Sequence, residues 1–109
     1  MKKIKYNKLV RDKIPEIIKA AKKEASTSVA NEAMYREKLY EKLKEEVNEF
    51  LESEAPEEIA DILEVLYAIM ELNSLSKNEI EIIRTDKADK RGSFNKRLIL
   101  HSVTNHHED

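Results

Sequence analysis

Apolar residues recur at helical spacing in the first half of the chain. One such stretch begins near Pro15 and continues to near Glu24. A proline suits the first turn of a helix because its missing N–H would have no partner there. A second stretch runs from about Asn31, a favoured N-cap residue, to about Ser53. Both stretches are predicted to be α-helices, and the apolar stripe of the second consists of Leu39, Leu43, Val47 and Phe50.

Two further helices are marked by their start and stop signals. Pro56 restarts the helical pattern, and from Ile59 to Leu72 the residues are apolar almost all round. Such a helix is predicted to be the buried centre of a bundle. Residues 76–79 have the spacing of a capping box, and the helix they open is predicted to end at Gly92, the only glycine.

The residues after the fourth helix predict no further helix. Residues 93–103 contain the apolar triplet 98–100, which favours either a short strand or an extended arm. Residues 106–109 are expected to be a frayed terminus. A chain of 109 residues with 39% charged positions, one glycine and two prolines indicates a single all-α domain, residues 1–109, built as a helical bundle.

The residue types that are missing exclude several classes of chemistry. Without cysteine the chain cannot form a disulfide scaffold, a thiolate nucleophile or a cysteine-ligated metal site, so any metal must be bound by oxygen or histidine nitrogen. No window holds eighteen apolar residues, and no apolar run follows the basic N-terminus. We therefore expect no membrane span, no secretory signal and a cytoplasmic protein.

The net charge of −2 hides a segregation of charge along the chain. Residues 1–24 contain nine basic and three acidic residues. Residues 32–81 contain five basic and fifteen acidic residues, and residues 82–109 contain six basic and four acidic residues. Two basic ends could thus lie over an acidic middle. This order favours a metal-bridged anion as ligand over a nucleic-acid polymer.

Two acidic pairs stand out in the acidic middle. Glu46 and Glu49 lie on one face of the second helix, and Glu58 and Asp61 do so on the third. Antiparallel packing across Ala55–Pro56 would bring the pairs together, and Asp61 is expected to be dry because its neighbours are apolar. Oxygen ligands favour Mg²⁺, or Mn²⁺, over zinc. The alternative is a solvated helical face with nearby lysine partners such as Lys42 and Lys44, which we accept for Glu45, Glu52, Glu54 and Glu57.

These acidic residues carry a resemblance to a known family. Residues 46–49 and 58–61 resemble the E-x-x-E and E-x-x-D signature of the all-α nucleoside triphosphate pyrophosphohydrolases, which include the MazG-like proteins. Residues 6–15, YNKLVRDKIP, resemble the N-terminal block of the small phosphoribosyl-ATP pyrophosphohydrolase-like branch, and residues 90–97 resemble its C-terminal block. The resemblance spans about residues 6–100.

The resemblance implies an enzyme that cleaves a nucleotide between its α and β phosphates, giving the monophosphate and pyrophosphate. Mg²⁺ held by Glu46, Glu49, Glu58 and Asp61 would neutralise phosphate charge and lower the pKa of a bound water. Either Glu46 or Glu49 would accept the proton. The candidate phosphate ligands are Lys8, Arg11, Lys13, Lys90, Arg91 and Arg97.

Two questions stay open at this point. Each of the candidate cations could instead be an ordinary surface charge or a member of an ion pair. The acidic cleft could also belong to a non-catalytic regulatory module that binds a nucleotide or a metal. The third helix is too apolar to be covered easily by its own chain, so we expect a homodimer or a higher oligomer, as in the resembled family.

Overall fold

The computed structural model describes residues 3–105, and within that range the chain is helical with no β-strand. The helices are α1 (Ile14–Ala20), α2 (Glu32–Ser53), α3 (Pro56–Leu72) and α4 (Lys77–Arg91). The all-α class and the four predicted helices are therefore confirmed. The chain comprises two compact units, Met1–Ser76 and Lys77–Asp109, and the predicted frayed terminus at residues 106–109 lies outside the described residues.

The ends of α2 and α3 follow the local signals of the sequence. Asn31 caps α2, because its side-chain oxygen accepts a hydrogen bond from the backbone N–H of Met34 at 2.8 Å. After α2, Glu54 adopts the left-handed conformation (φ 54°) and Ala55 is extended. Pro56 then begins α3 in the first-turn position that proline favours.

This two-residue connection folds α3 back against α2, and the two helices form an antiparallel hairpin. Arg36, near the start of α2, donates a hydrogen bond of 3.1 Å to the side-chain oxygen of Asn73, just beyond the end of α3. The distal ends of the hairpin therefore meet. Consequently, the C-terminal half of α2 lies beside the N-terminal half of α3, which is the packing that the acidic pairs require.

Burial along α3 differs from the expectation. Among the described residues, the buried apolar side chains are Leu39 on α2, with 2% of its surface exposed, and Val65 on α3, with 8%. By contrast, Ile59 and Leu63 remain 49% and 43% exposed. The prediction that α3 is a buried centre is wrong for the single chain, because α2 covers only one side of it.

The ends of α1 and α4 differ in how well local signals predict them. Helix α1 ends at Ala20 rather than near Glu24, since Lys22 has a positive φ of 61° that stops helical propagation. Gly92, by contrast, ends α4 as predicted, with φ 83° and its N–H bonded to the carbonyl of Ala88.

Residues 98–100 are irregular and 76–83% exposed, so the arm is observed rather than the strand. No helix within the described range has the length and apolarity to cross a membrane.

Leu39 is expected to contribute more to stability than any exposed leucine. The substitution Leu39→Ala should lower the free energy of unfolding by about 2–4 kcal/mol, because it removes a buried side chain and leaves a cavity. The same change at Leu98, which is 83% exposed, should cost less than about 0.5 kcal/mol. Urea denaturation followed by circular dichroism measures both values, and equal costs would contradict this account of the core.

Candidate metal centre

The structure brings three carboxylates together at the connected end of the hairpin. Glu46 comes from α2, and Glu58 and Asp61 come from the first two turns of α3. One carboxylate oxygen of each lies within 4.8 Å of those of the others. We call these three residues the carboxylate cluster. Its position follows from the antiparallel packing of α2 and α3, and it could hold a metal ion.

Glu46 is the most buried member of the carboxylate cluster. Only 5% of the residue is exposed, and its Oε1 lies 3.1 Å from the Lys42 ammonium. Burial raises the pKa of Glu46 above its usual value, and the neighbouring Glu49 carboxylate raises it further, whereas Lys42 opposes both effects. Burial of the ionised Glu46 carboxylate therefore costs more free energy than its attraction to Lys42 offsets.

Two buried oxygens of the carboxylate cluster have no hydrogen-bond partner within the described part of the chain. They are Oε2 of Glu46 and Oε2 of Glu58. Buried polar atoms are nearly always paired in folded proteins, and orphaned ones call for an explanation such as an ion. A cation bound between these oxygens would satisfy both at once.

Asp61 differs from the expectation that it is dry. Its side chain is 37% exposed and receives a 2.7 Å hydrogen bond from the Arg11 guanidinium. The apolar residues on either side of it, Ile59 and Leu63, are themselves about half exposed. The buried carboxylate of the carboxylate cluster is Glu46 instead, so the prediction of a dry Asp61 is wrong.

A sequence signal for the burial of Glu46 does exist. Residues 39, 43, 46 and 50 are spaced by four, three and four, which is the spacing of a seam between packed helices. Leu39, Leu43 and Phe50 occupy the other three positions, and each is buried or partly buried. Val47, which we included in the stripe, is 36% exposed. Glu46 is thus the one carboxylate in a seam of apolar residues.

Glu49 lies beside the carboxylate cluster rather than in it. It is exposed on α2, and its carboxylate is close enough to Glu46 to raise the pKa of that residue. Of the four predicted metal ligands, Glu46, Glu58 and Asp61 therefore have carboxylate oxygens within 4.8 Å of one another. The fourth, Glu49, is exposed beside them.

The N-terminal segment supplies cations to the same region. Arg11 contacts Asp61 at 2.7 Å and Glu64 at 3.6 Å, and Lys8 contacts Glu45 at 3.1 Å. Glu45 also lies 3.9 Å from Lys42, which agrees with the expected helical face with lysine partners, and Lys8 is a further partner from outside the helix. Two of the predicted phosphate ligands thus lie against the acidic hairpin.

This N-terminal segment is tied to α2 at one further point. Lys38 donates a hydrogen bond of 2.9 Å to the backbone carbonyl of Asn7. Lys13, at the start of α1, is exposed, and its side chain makes no ion pair within residues 3–105.

The C-terminal cations belong to the other compact unit. Lys90 pairs with Asp86 at 3.1 Å one helical turn away, which is the ion-pair alternative considered for it. Arg91 is the exposed last residue of α4. Arg97 has a positive φ of 54° and bonds through its backbone N–H to the carbonyl of Phe94. Their predicted role in binding phosphate stays a prediction.

Comparisons with protein families, curated proteins and solved structures gave no match to this chain. The resemblance to the pyrophosphohydrolases accordingly stays a prediction.

Proposed function

We propose that this chain is a Mg²⁺-dependent nucleotide pyrophosphohydrolase that hydrolyses the α–β phosphate linkage of a nucleoside triphosphate or a related nucleotide. The observation that carries the proposal is the pair of buried oxygens on Glu46 and Glu58, beside Asp61, that have no hydrogen-bond partner among residues 3–105. An all-oxygen site suits Mg²⁺ or Mn²⁺.

The size of the carboxylate cluster agrees with one such ion. Mg²⁺ binds oxygen at about 2.1 Å, so the oxygens that bind one ion lie no more than about 4.2 Å apart. The oxygens of the carboxylate cluster lie within 4.8 Å of one another. The three side chains would therefore move closer together on binding one ion.

The residues around the carboxylate cluster suit the proposed hydrolysis. A bound Mg²⁺ would supply charge neutralisation for the phosphates and lower the pKa of a water. Water adds across the α–β linkage, the bridging bond breaks and pyrophosphate leaves. Glu49, which is exposed beside Glu46, would accept the proton of the water, while Lys8 and Arg11, which contact the acidic hairpin, would bind phosphate oxygens.

A panel of nucleotides tests the proposal directly. The wild-type protein is incubated with Mg²⁺ and each common ribonucleoside or deoxyribonucleoside triphosphate, and the products are separated by ion-exchange chromatography. We expect monophosphate and pyrophosphate in equal amounts from at least one nucleotide, with no release in EDTA. Mg²⁺-dependent nucleotide binding without any release would contradict the enzyme and favour the regulatory module.

The protein is also proposed to work as a homodimer or a higher oligomer. Val47 and Leu51 are one turn apart on α2, as are Ile59 and Leu63 on α3, and these four side chains are 36–69% exposed. A second copy of the hairpin could cover them. Light scattering should therefore give at least twice the mass of one chain, 12.7 kDa.

A charge on this apolar surface should disrupt the oligomer. Leu63→Lys is expected to shift the particle towards the mass of one chain, because assembly would bury an unpaired ammonium group. Val29→Lys is the control, since Val29 is 99% exposed and lies outside the helices. A wild-type protein that stays monomeric at micromolar concentration would contradict this proposal.

A further inference from the structure

Arg11 contacts the carboxylate cluster on its exposed side. Its guanidinium lies 2.7 Å from Asp61 and 3.6 Å from Glu64. Asp61 is one of the three residues that could hold a metal, so the cation that contacts it in this structure is an internal one. A divalent cation that takes Asp61 as a ligand must compete with this ion pair.

We propose that Arg11 is an exchangeable counter-cation: a divalent metal displaces it from Asp61, and the released guanidinium then binds a phosphate of the substrate. The inference rests on the proposed metal site and deepens it by assigning Arg11 two successive anionic partners. The ligand would be a di- or triphosphate, because a guanidinium can donate two parallel hydrogen bonds to phosphate oxygens.

The charges of the site favour an exchange over simple addition of the metal. Arg11 and Lys42 each contact two carboxylates, Arg11 contacting Asp61 and Glu64 and Lys42 contacting Glu46 and Glu45. A divalent ion bound to Asp61 would repel the Arg11 guanidinium at the same carboxylate, because both are cations. Arg11 keeps a second anionic neighbour, Glu64, so leaving Asp61 does not remove its only partner.

The difference in burial indicates which cation leaves. In the Arg11–Asp61 pair the two side chains are 54% and 37% exposed, whereas in the Lys42–Glu46 pair they are 18% and 7% exposed. Exposed ion pairs are weak, typically below about 1 kcal/mol, because water screens them. Separating Lys42 from Glu46 would leave a buried charge uncompensated. The metal therefore displaces Arg11 and retains Lys42.

The N-terminal segment stays attached when Arg11 changes partner. Lys38 donates a hydrogen bond of 2.9 Å to the backbone carbonyl of Asn7, which lies close to Arg11 in the sequence. This contact involves no member of the carboxylate cluster. The guanidinium of Arg11 thus remains within side-chain reach of the site. Metal binding should accordingly strengthen phosphate binding, and by linkage phosphate should strengthen metal binding.

The test measures two affinities of the variant Arg11→Gln with opposite expected changes. Mn²⁺ is titrated into metal-free protein and free Mn²⁺ is followed by electron paramagnetic resonance. Arg11→Gln should bind Mn²⁺ about threefold to fivefold more tightly than wild type, because the competing cation is gone. Inorganic pyrophosphate, titrated by calorimetry at saturating Mn²⁺, should bind about tenfold more weakly because a charged phosphate ligand is lost.

Arg84→Gln is the matched control, because Arg84 also pairs with a carboxylate, Glu81, but lies on α4. It should change neither affinity. Mn²⁺ binding by Arg11→Gln that is unchanged or weaker than that of a metal-binding wild type would overturn the exchange while leaving the metal site standing. No saturable Mn²⁺ binding by either protein would instead overturn the proposed metal site itself.

Discussion

Replacing Glu46 with glutamine is expected to abolish metal binding and to reduce pyrophosphate release by more than about 100-fold. Loss of a residue that only supports a metal ligand already costs about 10–100-fold in metal affinity or activity. Glu46 would be a direct ligand, since its buried Oε2 in the carboxylate cluster has no hydrogen-bond partner in the part of the chain that the structure describes. The loss should therefore exceed that range.

The same substitution should stabilise the metal-free protein by roughly 1 kcal/mol, the size of a typical effect at a buried polar site. Burial raises the pKa of Glu46, and Glu49 adds to the shift. A carboxyl with a raised folded-state pKa stabilises the fold when protonated, and that contribution is lost as the pH rises through the raised pKa. At a pH above this raised pKa the ionised Glu46 is thus a net cost to stability, and glutamine removes the charge.

Urea denaturation with and without Mg²⁺ separates these two effects. Wild type should gain stability from Mg²⁺. Without Mg²⁺, Glu46→Gln should have a higher free energy of unfolding than wild type, and Mg²⁺ should not raise it further. Glu52→Gln is the control, because Glu52 is an exposed carboxylate on the same helix, and it should behave like wild type. A metal-free Glu46→Gln protein that is less stable, yet still stabilised by Mg²⁺, would contradict the assignment.

Asp61→Asn is also expected to have a large effect. It should abolish metal binding and catalysis while changing stability little. Asparagine keeps the shape of the side chain but removes a charged oxygen ligand from the carboxylate cluster, so Mg²⁺ binding and pyrophosphate release should both be lost. The free energy of unfolding should change by less than about 1 kcal/mol, because the ion pair that is lost, with Arg11, is partly exposed.

Isothermal titration with Mg²⁺, together with urea denaturation, measures both properties of Asp61→Asn. Asp86→Asn is the matched control, since Asp86 is also an exposed aspartate paired with a cation, Lys90, and it lies in the other compact unit. Mg²⁺ affinity that is equal in Asp61→Asn and wild type would remove Asp61 from the metal site.

The helices could be predicted because their signals are local. The cap at Asn31, the first-turn position of Pro56 and the positive φ of Gly92 each depend on a few neighbouring residues. Antiparallel packing also follows from sequence, because two long helices joined by a two-residue connection pack against each other in opposite directions. These same features bring the acidic pairs to one end of the hairpin.

The burial of individual carboxylates could not be read as reliably, because burial depends on which face of each helix meets the other. Apolar neighbours made Asp61 look dry, yet α2 covers a different side of α3 and Asp61 is 37% exposed. Glu46 is buried because it shares the seam of Leu39. The contacts of Lys8 and Arg11 span 37 and 50 residues along the chain, a separation at which local pattern carries no information.

A titration of Mn²⁺ into the metal-free protein, followed by electron paramagnetic resonance, measures whether the carboxylate cluster binds a divalent metal. Glu57 and Glu58 are adjacent on α3, but only Glu58 belongs to the carboxylate cluster. We expect saturable binding by wild type and by Glu57→Gln, and its loss in Glu58→Gln. Equal binding by all three proteins, or saturable binding by none, would contradict the proposed metal site.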